Sequence, residues 1–217
     1  MALAIFDLDE TLIHGDCASL WAQRMADLQW VDHDSFVPRE QELMTLYSRG
    51  ELAMEDYMTF TLAPLVGRTP EEVDFVVGPY VEDVIEPIIF GDAMRCLAAH
   101  RAAGDRLLVI SASAHFLVSA IAERLGIAEV LAIDCEQQHG CYSGKTVGVL
   151  TYREGKVTRL QAWLEAEGET LEGAHFYSDS RNDLPLLQQV PHAHAVNPDP
   201  TLRVHAEQAG WEILAWK

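Results

Sequence analysis

The sequence predicts an α/β fold, in which a doubly wound and mostly parallel sheet carries helices on both faces and an all-helical segment is inserted. Three observations lead to this prediction. An apolar run from Ala2 to Phe6 is typical of a short buried strand in a parallel sheet. Residues from about Asp16 to Glu86 show helical periodicity and little strand character. From Gly91 onward, helix and strand patterns alternate, which favours parallel strands joined by helices.

The first strand runs directly into Asp7 and Asp9, which are separated by one residue. In open α/β sheets, ligands bind at the carboxyl ends of the strands, so both aspartates are placed at the edge where a site forms. Two neighbouring carboxylates repel each other, and a cation or a reaction that uses them offsets that cost. The alternative is a polar turn in which the two aspartates only cap the next segment.

The second stretch is a run of helices. Ala18, Trp21, Met25 and Leu28 recur at helical spacing, and Thr69 followed by a proline and two glutamates is typical of a helix start. We therefore expect an all-helical insertion of about seventy residues. Its methionine and aromatic positions are expected to belong mostly to a hydrophobic core.

The remaining chain is predicted to alternate between strands and helices. The predicted strands are 106–110, 130–133, 174–177, 194–196 and 211–216. The predicted helices are 92–103, 115–125, 156–167, 184–189 and 200–209, several of them closed by glycine. The glycines between Glu136 and Glu154 indicate a small hairpin outside this pattern.

Composition limits the partners. The chain has 217 residues, of which 49% are hydrophobic, and its net charge is −19 from 15 basic and 34 acidic residues. Such a charge repels nucleic acid and anionic lipid, so we predict neither as a partner. An anionic substrate therefore has to be captured by local positive charge or by a metal ion.

Features that the sequence lacks predict a cellular location. Its four cysteines form no CxxC pair, no signal peptide is visible, and no apolar run approaches the roughly 20 residues needed to span a bilayer. We expect a cytoplasmic protein with reduced thiols and no membrane contact. The sequence carries no signal for an oligomeric state.

Polar residues occur at further strand ends and helix starts. Ser111 follows the second strand, Lys156 opens a later helix, and Asp179 and Asp183 follow another strand. In a parallel sheet these positions share one edge with Asp7 and Asp9, so residues far apart in sequence can meet there. Each also has a structural explanation, because Ser111 and the aspartates can cap helices and lysines are usually exposed. The ordered set favours a phosphate-handling site.

This set assigns a role to each residue. Mg²⁺ prefers oxygen ligands, which Asp7, Asp179 and the backbone carbonyl of Asp9 could supply. Asp7 could attack phosphorus as a nucleophile, and Asp9 could act as general acid and then as general base. The Ser111 hydroxyl and nearby backbone N–H groups, including that of Ala112, could hold phosphate oxygens. Lys156 could neutralise negative charge in the transition state.

The chain resembles the haloacid dehalogenase superfamily, and is most similar to its phosphoserine-phosphatase-like subfamily IB. Residues 7–12 are similar to the first family motif and residues 110–113 to the second. Lys156 fits the third, and residues 179–183, with Asn182 and Asp183 in supporting positions, fit the fourth. The match covers nearly the whole chain.

The resemblance implies a Rossmann-like catalytic core, formed by residues 1–15 and 87–217, and a helical cap, formed by residues 16–86. It also implies Mg²⁺-dependent hydrolysis of a small phosphorylated metabolite through an aspartyl-phosphate. Asp9 argues for a phosphatase over a dehalogenase, which lacks the second aspartate. Transfer of the phosphoryl group to an alcohol by the same intermediate, and a binding module without turnover, are the alternatives.

The resemblance also points to the specificity residues. Phosphoserine phosphatases have a glutamate that binds the substrate amine where this chain has Asp16. Where they have an arginine for the substrate carboxylate, this chain has Leu62, with Arg49 or Arg68 as possible substitutes. The substrate candidates are therefore phosphoserine or another small phosphomonoester with an amine, such as histidinol phosphate.

Overall fold

The computed structural model of the chain describes residues 2–217, apart from the side chain of Ser48. These residues form eight strands. They are β1 Leu3–Phe6, β2 Arg106–Ala114, β3 Glu129–Ile133, β4 Cys135–Gln138, β5 Cys141–Thr146, β6 His175–Ser178, β7 His192–Val196 and β8 Glu212–Leu214. Six of them form one parallel sheet in the order β3-β2-β1-β6-β7-β8, and β4 and β5 form a separate antiparallel hairpin.

Strand β1 lies at the centre of the sheet. All four of its residues are buried, and Ile5 pairs with Leu108 of β2 on one side and with Phe176 of β6 on the other. The chain moves from β1 towards β3 in one direction, and from β6 towards β8 in the other. Because a doubly wound sheet binds its ligands where this direction reverses, the residues that follow β1 lie in the expected crevice.

Nine helices surround the sheet within the described residues. They are α1 Cys17–Asp27, α2 His33–Arg49, α3 Met54–Leu62, α4 Pro70–Tyr80, α5 Gly91–Ala103, α6 His115–Arg124, α7 Glu154–Glu167, α8 Leu184–Leu187 and α9 Pro200–Ala209. The two sheet faces belong to different hydrophobic clusters, as the side chains of Phe6 and Ile5, which alternate along β1, illustrate. The predicted doubly wound α/β fold is confirmed.

The inserted segment is helical, as predicted. Helices α1 to α4 precede a π-helical turn, Val81–Ile85, which leads back to the sheet through a short 3₁₀ turn, Glu86–Ile88. Asp16 caps α1 by accepting a hydrogen bond from the backbone N–H of Ser19 at 2.8 Å. Thr69 and Glu72 form a reciprocal capping box at the start of α4.

Several predicted boundaries differ from those of the structure, and two of the differences lie at the predicted site. Strand β2 continues to Ala114, four residues beyond the predicted end, because an irregularity after Ile110 lets pairing with β3 resume at Ala114. Helix α7 begins at Glu154, so Lys156 lies inside its first turn. None of the described helices has both the length and the apolar character that crossing a membrane requires.

Candidate active site

The ends of β1 and β6 and the start of α7 meet around a buried lysine. Only 2% of Lys156 is exposed, and its Nζ donates hydrogen bonds at 2.8 Å to Oδ1 of Asp7 and to Oδ2 of Asp183. The hydroxyl of Ser178, the last residue of β6, also donates to Asp183 Oδ2, at 2.7 Å. The structure thus brings together three residues that the sequence had placed at separate strand and helix ends.

Negative charge outweighs positive charge at this point. Burial raises the pKa of Asp7 to about 6, with Lys156 lowering it and Asp183 raising it. Burial alone would lower the pKa of Lys156, but the charges of Asp183 and Asp7 outweigh that effect and hold it above its ordinary value. Lys156 therefore stays positively charged, and its single charge does not neutralise all the negative charge of the surrounding carboxylates.

Asp9 has different partners from Asp7. Its Oδ1 accepts a hydrogen bond from the backbone N–H of Cys17 at 2.6 Å, and its Oδ2 accepts one from the Ser113 hydroxyl at 2.9 Å. Burial, and then the charges of Asp16 and Asp7, raise the pKa of Asp9 to about 8. A carboxyl group with such a pKa keeps its proton near neutral pH, as a general acid must.

Asp179 is held by Thr11, a residue that the sequence analysis missed. The Thr11 hydroxyl donates to Asp179 Oδ1 at 3.2 Å and accepts from the Asp179 backbone N–H at 3.1 Å. Thr11 is fully buried, so this pair joins the loop after β1 to the loop after β6. Its position could have indicated this role, because Thr11 is a hydroxyl residue two positions after the second aspartate of the motif.

Ser111 lies deeper than predicted. It is fully buried inside β2, its hydroxyl accepts a hydrogen bond from the Ser113 backbone N–H at 3.1 Å, and its carbonyl accepts one from the Thr151 hydroxyl at 2.6 Å. Ala112 and Ser113 line the neighbouring cavity. Ser113 was missed as a functional candidate, although a second serine at the predicted strand end was visible in the sequence.

These residues surround a cavity of about 270 Å³ between the sheet edge and the inserted helices. Its lining contains six carboxyl side chains, and none of the described residues that line it is lysine, arginine or histidine. The carboxyl residues are Asp7, Asp9, Glu10, Asp16, Asp179 and Asp199. The inserted helices contribute Ala18, Met44, Tyr47, Met54 and Tyr57.

The predicted specificity residues differ in position. Asp16 lines the cavity, whereas Arg49 is exposed at the end of α2 and is not part of the lining. Arg68 packs its guanidinium 3.7 Å from the ring centre of Trp30 and donates from Nε to the Pro64 carbonyl at 3.1 Å. Neither arginine stands in the cavity to receive a substrate carboxylate.

The inserted helices are bonded to the sheet edge near Asn182. Its Oδ1 accepts from Arg153 Nε at 3.2 Å, and its Nδ2 donates to the carbonyl of Tyr47, in the last turn of α2, at 3.4 Å. The Arg153 guanidinium also donates to the carbonyl of Gly50. Gly50 has a φ of 71°, and a Cβ atom there would collide with Arg153. We call these three contacts the Asn182–Arg153 latch.

Comparison with known proteins identifies the family. Residues 4–188 match the model of the haloacid dehalogenase-like hydrolases, which is most of the chain. The chain belongs to this family. The sequence-based prediction of the superfamily is therefore confirmed.

Individual relatives and solved structures are similar to this chain over nearly its whole length. A histidinol-phosphatase from Neisseria meningitidis serogroup C (strain 8013) is 36% identical over 99% of both chains. A crystal structure of a protein with unknown function from Bordetella pertussis Tohama I is also 36% identical, covers 99% of this chain and 98% of its own, and superposes with a TM-score of 0.91. A phospho-aspartyl intermediate analogue of phosphoserine phosphatase shares the fold at 19% identity, with a TM-score of 0.71 over 100% of this chain and 93% of its own.

Haloacid dehalogenase-like hydrolases generally depend on Mg²⁺, and the donor atoms here suit that ion. Burial, and then the charges of Asp7 and Asp183, hold the pKa of Asp179 well above its ordinary value, and a bound cation would offset that repulsion. Within residues 2–217, no group of three or more His, Cys, Asp or Glu side chains is arranged to hold a metal ion. Two carboxylates and one carbonyl would be a sufficient protein contribution, because Mg²⁺ usually keeps several water ligands.

Proposed function

We propose that this haloacid dehalogenase-like hydrolase is a Mg²⁺-dependent phosphatase, which hydrolyses a small phosphomonoester through an aspartyl-phosphate on Asp7. The enzyme is a phosphoric monoester hydrolase. One observation carries the proposal: Lys156 is buried between Asp7 and Asp183 at the carboxyl edge of the sheet, where it holds a nucleophilic carboxylate in place. Asp7 also lines the cavity, so this buried cation contacts a carboxylate that a substrate can reach.

The first half-reaction is the attack of Asp7 on phosphorus. A bond forms between a carboxylate oxygen of Asp7 and phosphorus while the bond from phosphorus to the substrate alcohol breaks. Asp9 gives its proton to the departing oxygen, and its contacts with Cys17 and Ser113 fix the direction of the carboxyl group. Lys156 keeps its positive charge beside Asp7 throughout.

The second half-reaction returns the enzyme to its starting state. Asp9, now a carboxylate, accepts a proton from a water molecule whose oxygen attacks phosphorus, and inorganic phosphate leaves as the carboxylate of Asp7 is regenerated. Ala112 lines the cavity, where its backbone N–H would contact a phosphate oxygen. Asp7, Asp179 and the Asp9 carbonyl would hold Mg²⁺, which, when bound, offsets the repulsion between these carboxylates and the phosphate dianion.

Metal dependence tests this proposal. The purified protein is expected to release inorganic phosphate from an aryl phosphate with Mg²⁺, to lose that activity in EDTA, and to regain it when excess Mg²⁺ is added. Asp179→Asn should require a higher Mg²⁺ concentration for half-maximal activity, because one carboxylate ligand is lost. Equal activity with and without divalent metal would contradict the metal assignment. Appearance of a phosphorylated product when alcohols are added would instead support phosphotransfer.

The substrate is proposed to carry a cationic nitrogen on its alcohol portion. The support is the acidic lining of the cavity, in which Asp16 lies close to the walls formed by the inserted helices. A substrate carboxylate would meet no cation among the described lining residues, which disfavours phosphoserine. Histidinol phosphate combines a phosphomonoester, an amine and no carboxylate, and its phosphatase in Neisseria meningitidis is a full-length relative.

A comparison of two amines tests the substrate class. We expect kcat/KM for histidinol phosphate to exceed that for phosphoserine by at least about 100-fold, since an unpaired carboxylate in an acidic cavity costs several kcal/mol. Steady-state phosphate release at fixed Mg²⁺ measures both values. Both substrates carry an amine, so similar kcat/KM values would contradict the inference that the acidic cavity excludes a substrate carboxylate.

The inserted segment is proposed to be the cap that selects the substrate. We keep its predicted limits, residues 16–86, and the predicted core, residues 1–15 and 87–217. The support is that Met44, Tyr47, Met54 and Tyr57 from α2 and α3 form the cavity wall opposite the sheet edge. The Asn182–Arg153 latch would hold that wall over the site.

A further inference from the structure

Glu40 is a buried acid in the middle of α2. Only 1% of it is exposed, and its Oε1 accepts hydrogen bonds from the Ser19 hydroxyl at 2.8 Å and from the Tyr57 hydroxyl at 3.1 Å. In the described part of the chain, no lysine, arginine or histidine forms an ion pair with it. Glu40 is therefore a buried carboxyl group whose partners are two neutral hydroxyl groups.

Burial of a carboxylate between two neutral partners lowers the stability of the fold. Transfer of a carboxylate out of water costs several kcal/mol unless a cation or several donors compensate it. A leucine or glutamine in α2 would avoid most of that cost. Ser19 connects Glu40 to Asp16, because its hydroxyl donates to Glu40 and its backbone N–H donates to Asp16. Burial, with a smaller contribution from the charge of Asp16, raises the pKa of Glu40. These observations indicate a role for Glu40 at the cavity.

The hydrogen bond to Glu40 determines whether the Tyr57 hydroxyl can donate or accept a further hydrogen bond. Tyr57 is part of the cavity lining, and its hydroxyl has one proton, which it donates to Glu40. Its oxygen is then left with acceptor capacity only. Ser19 is bound in the same way, and its backbone N–H holds Asp16 at 2.8 Å. Glu40 thus leaves the oxygen of Tyr57, a lining residue, as an acceptor for an N–H donor.

We propose that Glu40 is a positioning residue for substrate selection: it orients the Tyr57 hydroxyl as an acceptor and, with Asp16, favours a phosphomonoester that carries a cationic N–H group. This inference rests on the proposed function, because it concerns the same cavity. The residue that contacts the substrate is Tyr57, and Glu40 acts through it. The chemistry selected is a primary ammonium or an imidazolium group, and a neutral alkyl group of the same size is disfavoured.

Binding of two matched phosphonates tests the inference without any need for turnover. The probes are 2-aminoethylphosphonate and propylphosphonate, which have similar size and differ in the cationic nitrogen. Calorimetric titration with Mg²⁺ present is expected to give the parent protein at least about a tenfold preference for the amine. Glu40→Gln should lower that preference about tenfold, because its amide has no charge and can donate a hydrogen bond to the Tyr57 oxygen.

Three further variants separate positioning from folding. Tyr57→Phe should lower the preference by a similar factor, and the double variant Glu40→Gln/Tyr57→Phe should lower it no further, because both changes act on one hydroxyl. Glu42→Gln removes the same charge from an exposed position of the same helix, and should keep the parent preference. Circular dichroism establishes that each variant is folded.

The outcomes distinguish the inference from the proposed function. If Glu40→Gln weakens the binding of both phosphonates equally, or of neither, Glu40 has no role in selection and the inference is overturned. If the variants behave as expected but the parent hydrolyses no phosphomonoester, the cavity selects cationic phosphonates and the proposed phosphatase activity is wrong.

Discussion

Asp7→Asn is expected to abolish turnover, with a loss of about 10⁴–10⁶-fold in kcat, because the amide cannot form the aspartyl-phosphate. The substitution keeps the size of the side chain and an oxygen that can still accept from Lys156 Nζ. The variant should therefore fold and bind phosphate while forming no covalent intermediate. The measurement is reduction of the enzyme with borohydride during turnover of an aryl phosphate, followed by peptide mass mapping. Asp7 should be labelled in the parent protein, and Asp7→Asn should carry no label.

Asp9→Asn is the matched control for this experiment. The asparagine oxygen can still accept from the Cys17 N–H, so the geometry of the loop is kept while proton transfer is lost. Acid–base steps typically contribute about 10²–10⁴-fold, and an aryl leaving group needs little protonation. The loss should then fall on hydrolysis of the intermediate, and the label should remain at Asp7. A label on Asp9, or an active Asp7→Asn protein, would show that the roles are reversed or absent.

Lys156→Met is expected to have the largest effect on stability. It leaves Asp7 and Asp183 buried without their cation, and breaking a buried charge pair typically costs about 3–5 kcal/mol. The pKa of Asp7, already about 6, should rise further. The folded variant then binds more protons than the unfolded chain, so its stability deficit should be largest at pH 8 and shrink as the pH falls towards 6. Urea unfolding of parent and variant at both pH values measures this.

Lys145→Met provides the control for Lys156→Met. Lys145 lies exposed on the β4–β5 hairpin, so the same loss of charge should change the free energy of unfolding by less than about 0.5 kcal/mol. If the deficit of Lys156→Met were the same at pH 6 and pH 8, the carboxylates would not be its source, and the buried charge pair would have to be reinterpreted as simple packing.

Much of the site could be predicted because the carboxyl ends of parallel strands lie at the same edge of the sheet. Asp7 and Asp179 follow strands that the apolar pattern revealed, and Lys156 opens a helix that the periodicity revealed. Once the strands are parallel, their ends converge whatever lies between them in sequence. The full burial of Lys156 contradicts the usual location of lysine, and only the carboxylates on both sides of it explain the exception.

Contacts between helices of the insertion could not be predicted in the same way. Helical periodicity shows which residues share a face, but it does not show which face meets the sheet or the next helix. The sequence did not indicate a role for Glu40, because an acidic residue in a helix is usually exposed. Its contact with Tyr57 depends on how α2 and α3 pack. Arg49 was a candidate on charge alone, and the direction in which α2 ends leaves it in solvent. The irregularity in β2 likewise depends on pairing with β3.

The Asn182–Arg153 latch limits which residues position 50 of this chain can accept. Gly50 adopts a left-handed backbone conformation, and its missing side chain leaves the room that the Arg153 guanidinium occupies. A larger residue at position 50 would therefore displace the Arg153 side chain, and the left-handed backbone would strain that residue as well. Such a substitution would weaken the contacts that join the inserted helices to the sheet edge.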